Sequence, residues 1–222
     1  MTARTSRAGP WMTAGFLGGL ALAMAALVRW GPGHAGTVGA LQLSARWAYG
    51  FFWLAYVGGA LAALWGPRFQ PLARRGRELG LAFAAAMLVH GAMIVRIYAI
   101  SAKPPIPLAS AAFFGVGLAF AYAMAALSFP RLAGVLSTRA RRVFFTVGLE
   151  YIALAFLRDF FQDPFGKSLT HLIAYLPFIA LGITGALLRL LFYGQRLRRA
   201  LAAGRAARPG SAIGAVAGDS KR

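Results

Sequence analysis

The residues between 74 and 91 (RRGRELGLAFAAAMLVHG) carry a histidine inside an apolar run. At 1.5 Å of helix per residue, His90 lies about 12 residues into this run, near the midplane of a membrane. A histidine at that depth can hydrogen-bond to a neighbouring helix, ligate a haem iron or relay protons. The residue type alone leaves these three interpretations open.

Other ionisable residues also interrupt apolar runs. They are Arg96, Glu150, Arg158 and Asp159, with Asp163, Lys167 and His171 following shortly after. Such residues cost free energy in hydrocarbon and usually face the interior of a helix bundle. Similar predicted depths make Arg96, Arg158 and Asp159 an expected ion-pair cluster near the outer surface. They either neutralise one another or snorkel to headgroups, or they line a polar vestibule for a substrate or partner.

The composition predicts the elements that hold these residues. The chain has five acidic residues among 222. Its hydrophobic content of 59% exceeds the roughly 45–50% apolar content of soluble domains. Several apolar windows approach the roughly 20 residues that a helix needs to cross a bilayer. We therefore expect an all-α, polytopic membrane protein with one helical domain.

Turn signals divide the chain into six predicted spans, at 11–30, 47–66, 78–101, 108–129, 143–161 and 170–192. Residues 1–10 form a predicted cytoplasmic N-terminus, 11–193 the membrane domain and 194–222 a basic, disordered tail. That tail starts as an amphipathic stretch, which indicates an anchor at anionic headgroups or, alternatively, a docking site. The first span ends without a clear cleavage site, which favours an uncleaved helix over a signal peptide.

The net charge of +19 is distributed as in membrane proteins rather than in nucleic-acid-binding proteins. Arginines concentrate at the N-terminus, in the second-to-third and fourth-to-fifth connections and in the tail. These segments share one predicted face, so both termini are expected in the cytoplasm. The expected location is a bacterial inner membrane. Cysteine is absent, which excludes disulfides and thiolate-bound clusters. No hydrolase-type catalytic set is present.

Small residues recur within the predicted spans, as in GFLGG (15–19) and GITGA (182–186). Small side chains let membrane helices approach closely. The sequence therefore predicts a compact bundle.

The segment 74–91 resembles the start of the third span in the ferric reductase-like transmembrane family. Within that family it is similar to the haem-binding membrane subunits of periplasmic methionine sulfoxide reductase systems. The matching residues are Arg74, Arg75, Leu79, Gly80, Leu81, Phe83 and His90. The preceding stretch, from GALQLSARW to the QPL at 70–72, is similar to the second span of that family. The resemblance covers about residues 37–100.

The resemblance implies b-type haem held between histidines of the third and fifth spans. It also implies electron flow from a cytoplasmic flavin reductase to a periplasmic acceptor protein. His90 matches a haem ligand, whereas the positions of a further histidine in this span hold Lys103 and Pro104. The predicted fifth span has no histidine, so His171 is the remaining candidate for the second ligand.

Two hypotheses follow. The first is a haem-binding electron-transfer subunit of an oxidoreductase, with five-coordinate or unusual ligation. The second is a haem-free scaffold or assembly subunit, in which His90 and Glu150 bridge helices. A small transporter is disfavoured because no broken helix pair or inverted repeat is visible.

Overall fold

The computed structural model describes residues 8–132, 134–161 and 169–206, without the side chains of 170–172 and 205–206. The helices are α1 (Ala8–Trp30), α2 (His34–Trp65), α3 (Gln70–Arg74), α4 (Gly76–Ile100), α5 (Leu108–Leu127), α6 (Thr138–Phe161) and α7 (Leu169–Ala206). A 3₁₀ turn, Pro67–Phe69, joins α2 to α3. This part of the chain contains no strand, which confirms the all-α prediction.

Five of these helices are long and apolar enough to cross a membrane: α1, α2, α4, α5 and the Ile173–Gly204 portion of α7. The helix that contains the predicted fifth span, α6, is not among them. Its apolar run is interrupted by Glu150, Arg158 and Asp159, and its first five residues include three arginines. The five apolar helices are compatible with a multi-pass membrane protein.

Two helices extend well beyond the predicted spans. The first is α2, which begins at His34 rather than near 47, because the only break after α1 is the three-residue turn Gly31–Gly33. Gly31 allows that turn with a φ of 83°. The second is α7, which continues to Ala206 through a stretch rich in alanine, leucine and arginine, all good helix formers. The predicted disordered tail from 194 is thus helical up to 206, and 207–222 lie outside the described residues.

Glycines bring α1, α2 and α4 into close contact. A Cβ atom at Gly15 would collide with the carbonyl oxygen of Ala82 on α4. At Gly18 it would lie 2.4 Å from the Trp47 ring of α2. The Trp47 indole Nε1 donates a hydrogen bond of 3.0 Å to the Gly15 carbonyl. The predicted role of GFLGG in close packing is confirmed.

Aromatic rings join α2 to α4, α6 and α7. The aromatic core comprises Tyr49, Phe52, Phe83, Phe156, Phe160 and Phe178. From α2, Trp53 Nε1 donates a 2.7 Å hydrogen bond to the Leu181 carbonyl of α7, and Gly185 leaves room for the same indole. On the far side, Tyr151 of α6 donates a 3.0 Å hydrogen bond to the Phe113 carbonyl of α5.

These contacts define the direction of each helix. The pairings run antiparallel between α2 and each of α1, α4 and α6, and also between α5 and α6, whereas α2 and α7 are parallel. One end of the bundle therefore gathers most of the arginines, and we call it the arginine-rich end. Its described arginines are Arg68, Arg74, Arg75, Arg77, Arg131, Arg139, Arg141, Arg142, Arg196, Arg198 and Arg199.

Candidate functional site

A cavity of about 560 Å³ lies between α2, α4, α5 and α6. It reaches from Phe83 in the core to Pro105 and Ile106 in the α4–α5 loop. The wall is mostly aliphatic and aromatic, and its polar members are His34, Gln42, Arg46, His90, Tyr98, Asp159 and Tyr175. Cavities of this size, apolar with a few polar groups, are typical of small-molecule and cofactor sites.

His90 is the polar group that α4 contributes at mid-depth. Its Nδ1 lies 3.1 Å from the hydroxyl oxygen of Ser44 on α2. Ser44 is fully buried, and its hydroxyl also donates to the Leu41 carbonyl at 3.1 Å. A hydroxyl has one proton, so with that bond made Ser44 accepts from an Nδ1–H of His90. The Nε2 atom then keeps a lone pair, as in histidines that bind metals.

Three contacting rings mark a common level of α2, α4 and α6, namely Phe52, Phe83 and Phe156. From this level, each helix can be followed towards the end of the bundle that carries the α1–α2 turn. His90 lies about 10 Å beyond Phe83 on α4, Arg46 about 9 Å beyond Phe52 on α2, and Asp159 about 5 Å beyond Phe156 on α6. All three line the cavity. They therefore form a polar zone within about 6 Å of depth.

Arg46 is held by aromatic rings of α7. Its guanidinium carbon lies 4.8 Å from the ring centre of Tyr175 and 5.4 Å from that of Phe178. Asp159 lines the same cavity from the α6 wall. Among the described side chains, Arg46 and Asp159 nevertheless make no direct ion pair. Neither residue's role in the cavity was predicted from the sequence, where Asp159 was assigned to Arg96.

Arg96 lies elsewhere, so the expected ion pair with Asp159 is not formed among the described residues. Its Nη2 donates to the Pro32 carbonyl at 2.5 Å, and its Nε donates to the Thr37 hydroxyl at 3.3 Å. Arg96 thus ties α4 to the α1–α2 turn. The depth estimate failed because Arg96 is about 20 Å along α4 from Phe83, whereas Asp159 is about 5 Å from Phe156, a difference of about 15 Å.

Arg158 has partners on α5. Its guanidinium carbon is 4.6 Å from the Phe113 ring centre and 5.9 Å from that of Phe114. Its Nη2 lies 3.5 Å from the Ser110 hydroxyl. The structure therefore distributes the predicted polar cluster over separate sites instead of bringing its members together.

Glu150 forms a second polar site, nearer the arginine-rich end. Its Oε1 accepts hydrogen bonds from Arg189 Nη2 at 2.7 Å, Arg189 Nε at 2.9 Å and the Tyr193 hydroxyl at 2.7 Å. Its Oε2 accepts a 2.6 Å bond from the Tyr56 hydroxyl, and Arg189 also donates to Tyr193. Sequence reasoning missed Arg189. The signal was present, since a lone arginine in the sixth apolar run matches the lone glutamate in the fifth.

The cavity offers one imidazole that suits haem. It lies between α4 and α6, which contain the third and fifth predicted spans, and His90 of α4 lines it together with Ile152, Ala155 and Phe156 of α6. His34 lines the same cavity, but it precedes Ser44 by about 15 Å of helix, which is too far for it to share one iron with His90. The side chain of His171 lies outside the described residues. In the part of the chain that the structure describes, no group of three or more histidine, aspartate or glutamate side chains could hold a metal ion.

Comparisons of this chain with family models, with curated proteins and with solved structures found no match. Among the described side chains, a haem in this cavity would have His90 as its one imidazole ligand.

Proposed function

We propose that this protein is a ferric reductase-like membrane subunit that binds haem b in the cavity and passes electrons across the membrane. The donor would be a cytoplasmic flavin reductase, and the acceptor a protein outside. The observation that carries this proposal is His90, whose Nδ1 is occupied by Ser44 while its ring lines a cavity of about 560 Å³ between α4 and α6. The resemblance of residues 37–100 supports the same assignment.

The proposal includes six spans, with α6 as the one that hydropathy does not identify. The charge of Glu150, in the middle of α6, is neutralised by Arg189. Pairing of this kind is how charged residues are accommodated within membrane bundles. The concentration of arginines at one end supports cytoplasmic termini in a bacterial inner membrane.

The residues of this chain would bind and insulate the cofactor. A haem supplies one-electron chemistry, with a potential set by its ligands and burial. Ser44 would fix the orientation of the His90 ring, and the mostly apolar wall would surround the body of the cofactor. The arginine-rich end would attract an acidic reductase by electrostatic steering.

The test is the absorption spectrum of the purified protein, oxidised and dithionite-reduced, after expression with ample haem. We expect a Soret band of the b type that His90→Ala abolishes and His34→Ala leaves intact. Loss of the band in His171→Ala would identify a second ligand from α7. A wild-type protein without Soret absorbance would overturn the electron-transfer proposal.

One observation favours a haem-free scaffold as the second candidate. The Ser44–His90 hydrogen bond already joins α2 to α4, which gives His90 a structural role without a metal. In that case Ser44→Ala and His90→Ala should each destabilise the bundle by about 1 kcal/mol or less. The double variant should lose no more than either single variant, and no variant should absorb in the Soret region.

A further inference from the structure

We propose that Arg46 is the anion-binding group of the cavity and that it takes the carboxylate of the bound ligand, with Asp159 as the resident counter-charge that this carboxylate displaces. The identity of the ligand as haem b rests on the proposed function, and the carboxylates would then be its propionates. The anion site itself rests on the geometry of α2, α6 and α7.

Arg46 is presented for such a contact. Its guanidinium carbon lies over the rings of Tyr175 and Phe178, at 4.8 and 5.4 Å from their centres. Guanidinium N–H groups project from the edges of the plane, in a fork that matches the two oxygens of a carboxylate. The rings and a hydrogen bond with Tyr175 therefore hold Arg46 at the cavity that it lines.

Arg46 also needs an anion. It lies at about the depth of His90, where an uncompensated cation in an apolar bundle is costly. Asp159 lines the same cavity from α6, but no direct ion pair joins the two among the described side chains. A ligand carboxylate that enters between them would contact Arg46 directly and would be repelled by Asp159.

The remaining wall defines the chemical class of the ligand. Around the polar zone the lining is aliphatic and aromatic, with Leu41, Ile94, Phe114 and Leu118 among its members. The cavity thus suits an apolar body that carries a carboxylic acid. Haem b meets this description, and so does a long-chain fatty acid.

Removing the charge of Arg46 and removing that of Asp159 should change ligand affinity in opposite directions. A purely structural role of these residues would not predict this difference in sign. Arg46→Gln should weaken haem binding about 10- to 100-fold, the usual loss for a hydrogen bond to a charged group. Asp159→Asn should strengthen it about 3- to 10-fold by removing a like charge near the ligand. Arg46→Lys should keep part of the affinity, and Arg29→Gln, an exposed arginine at the end of α1 outside the cavity lining, should change nothing.

The ligand supplies a matched chemical control. Full-length protein in detergent is titrated with haem and with haem dimethyl ester, followed by the Soret band, and in parallel with cis-parinaric acid and its methyl ester, followed by fluorescence. We expect the wild type to prefer the acid over the ester and Arg46→Gln to lose that preference.

The outcomes separate the two proposals. Haem binding with no difference between acid and ester would support the proposed function and overturn the anion site. Absence of haem binding, with parinaric acid still preferred over its ester through Arg46, would overturn haem as the ligand and support the anion site. If the wild type prefers the acid over the ester in neither ligand pair, the role of Arg46 and Asp159 is overturned. The same follows if Asp159→Asn binds the acids more weakly than the wild type does.

Discussion

Breaking the Glu150–Arg189 ion pair gives the sharpest test of how the bundle holds α6 in place. The Arg189 side chain is 12% exposed, whereas that of Glu150 is 38% exposed. Removing one partner of a fully buried pair costs about 3–5 kcal/mol, and the partial exposure of Glu150 reduces this by screening. We therefore expect Glu150→Gln and Arg189→Met each to cost about 2 kcal/mol of unfolding free energy.

The double variant should lose far less than the sum of the two single losses, because it leaves no charge without its partner. The expected coupling is about 2 kcal/mol. The measurement is unfolding by SDS titration in mixed micelles, followed by tryptophan fluorescence, with Arg196→Gln as the control on the same helix. Additive losses in the double variant, or losses no larger than the control, would show that the pair does not hold α6 to α7.

Three further outcomes are expected. Gly15→Leu should destabilise the protein by about 1–3 kcal/mol in a thermal melt, since the new side chain would meet the Ala82 backbone. The matched control is Gly9→Leu, because a Cβ atom at Gly9 meets nothing within 4 Å. Ser44→Ala should lower haem retention while leaving a Soret band, because His90 loses its orienting bond but remains the ligand; an unchanged retention would argue against that bond's role. A reporter fused after Arg208 should be active only as a cytoplasmic fusion, and periplasmic activity there would reverse the predicted topology.

Hydropathy was sufficient to predict the helical class and five of the helices. The ends of the helices were harder to predict from hydropathy. A helix ends at a helix-breaking residue such as glycine or proline, and not at the position where the sequence becomes less apolar. Polar residues at 34–46 made the start of α2 look like a loop, yet nothing between Gly33 and Trp65 interrupts the backbone hydrogen bonds. In the same way, α7 continues past residue 193 to Ala206, because no proline ends it there.

The polar sites show what depth counting misses. Counting residues from predicted span ends ignores where neighbouring helices actually touch, and an error at each end displaced Asp159 by about three turns relative to Arg96. Contact levels, such as the one set by the three phenylalanine rings, exist only once the bundle is packed. Arg189 was missed for a different reason, since a single arginine near a span end looks like a topology signal until its glutamate is found.

The Glu150 site has a consequence for how the chain is inserted during synthesis. Of the described partners of Glu150, Tyr56 precedes it in the chain, whereas Arg189 and Tyr193 leave the ribosome after it. While α6 emerges, its carboxylate therefore lacks the cation that later neutralises it, and α6 alone does not meet the apolarity of a spanning helix. We expect the insertion machinery to retain α6 until α7 arrives, so that the two helices enter the bilayer together as a hairpin.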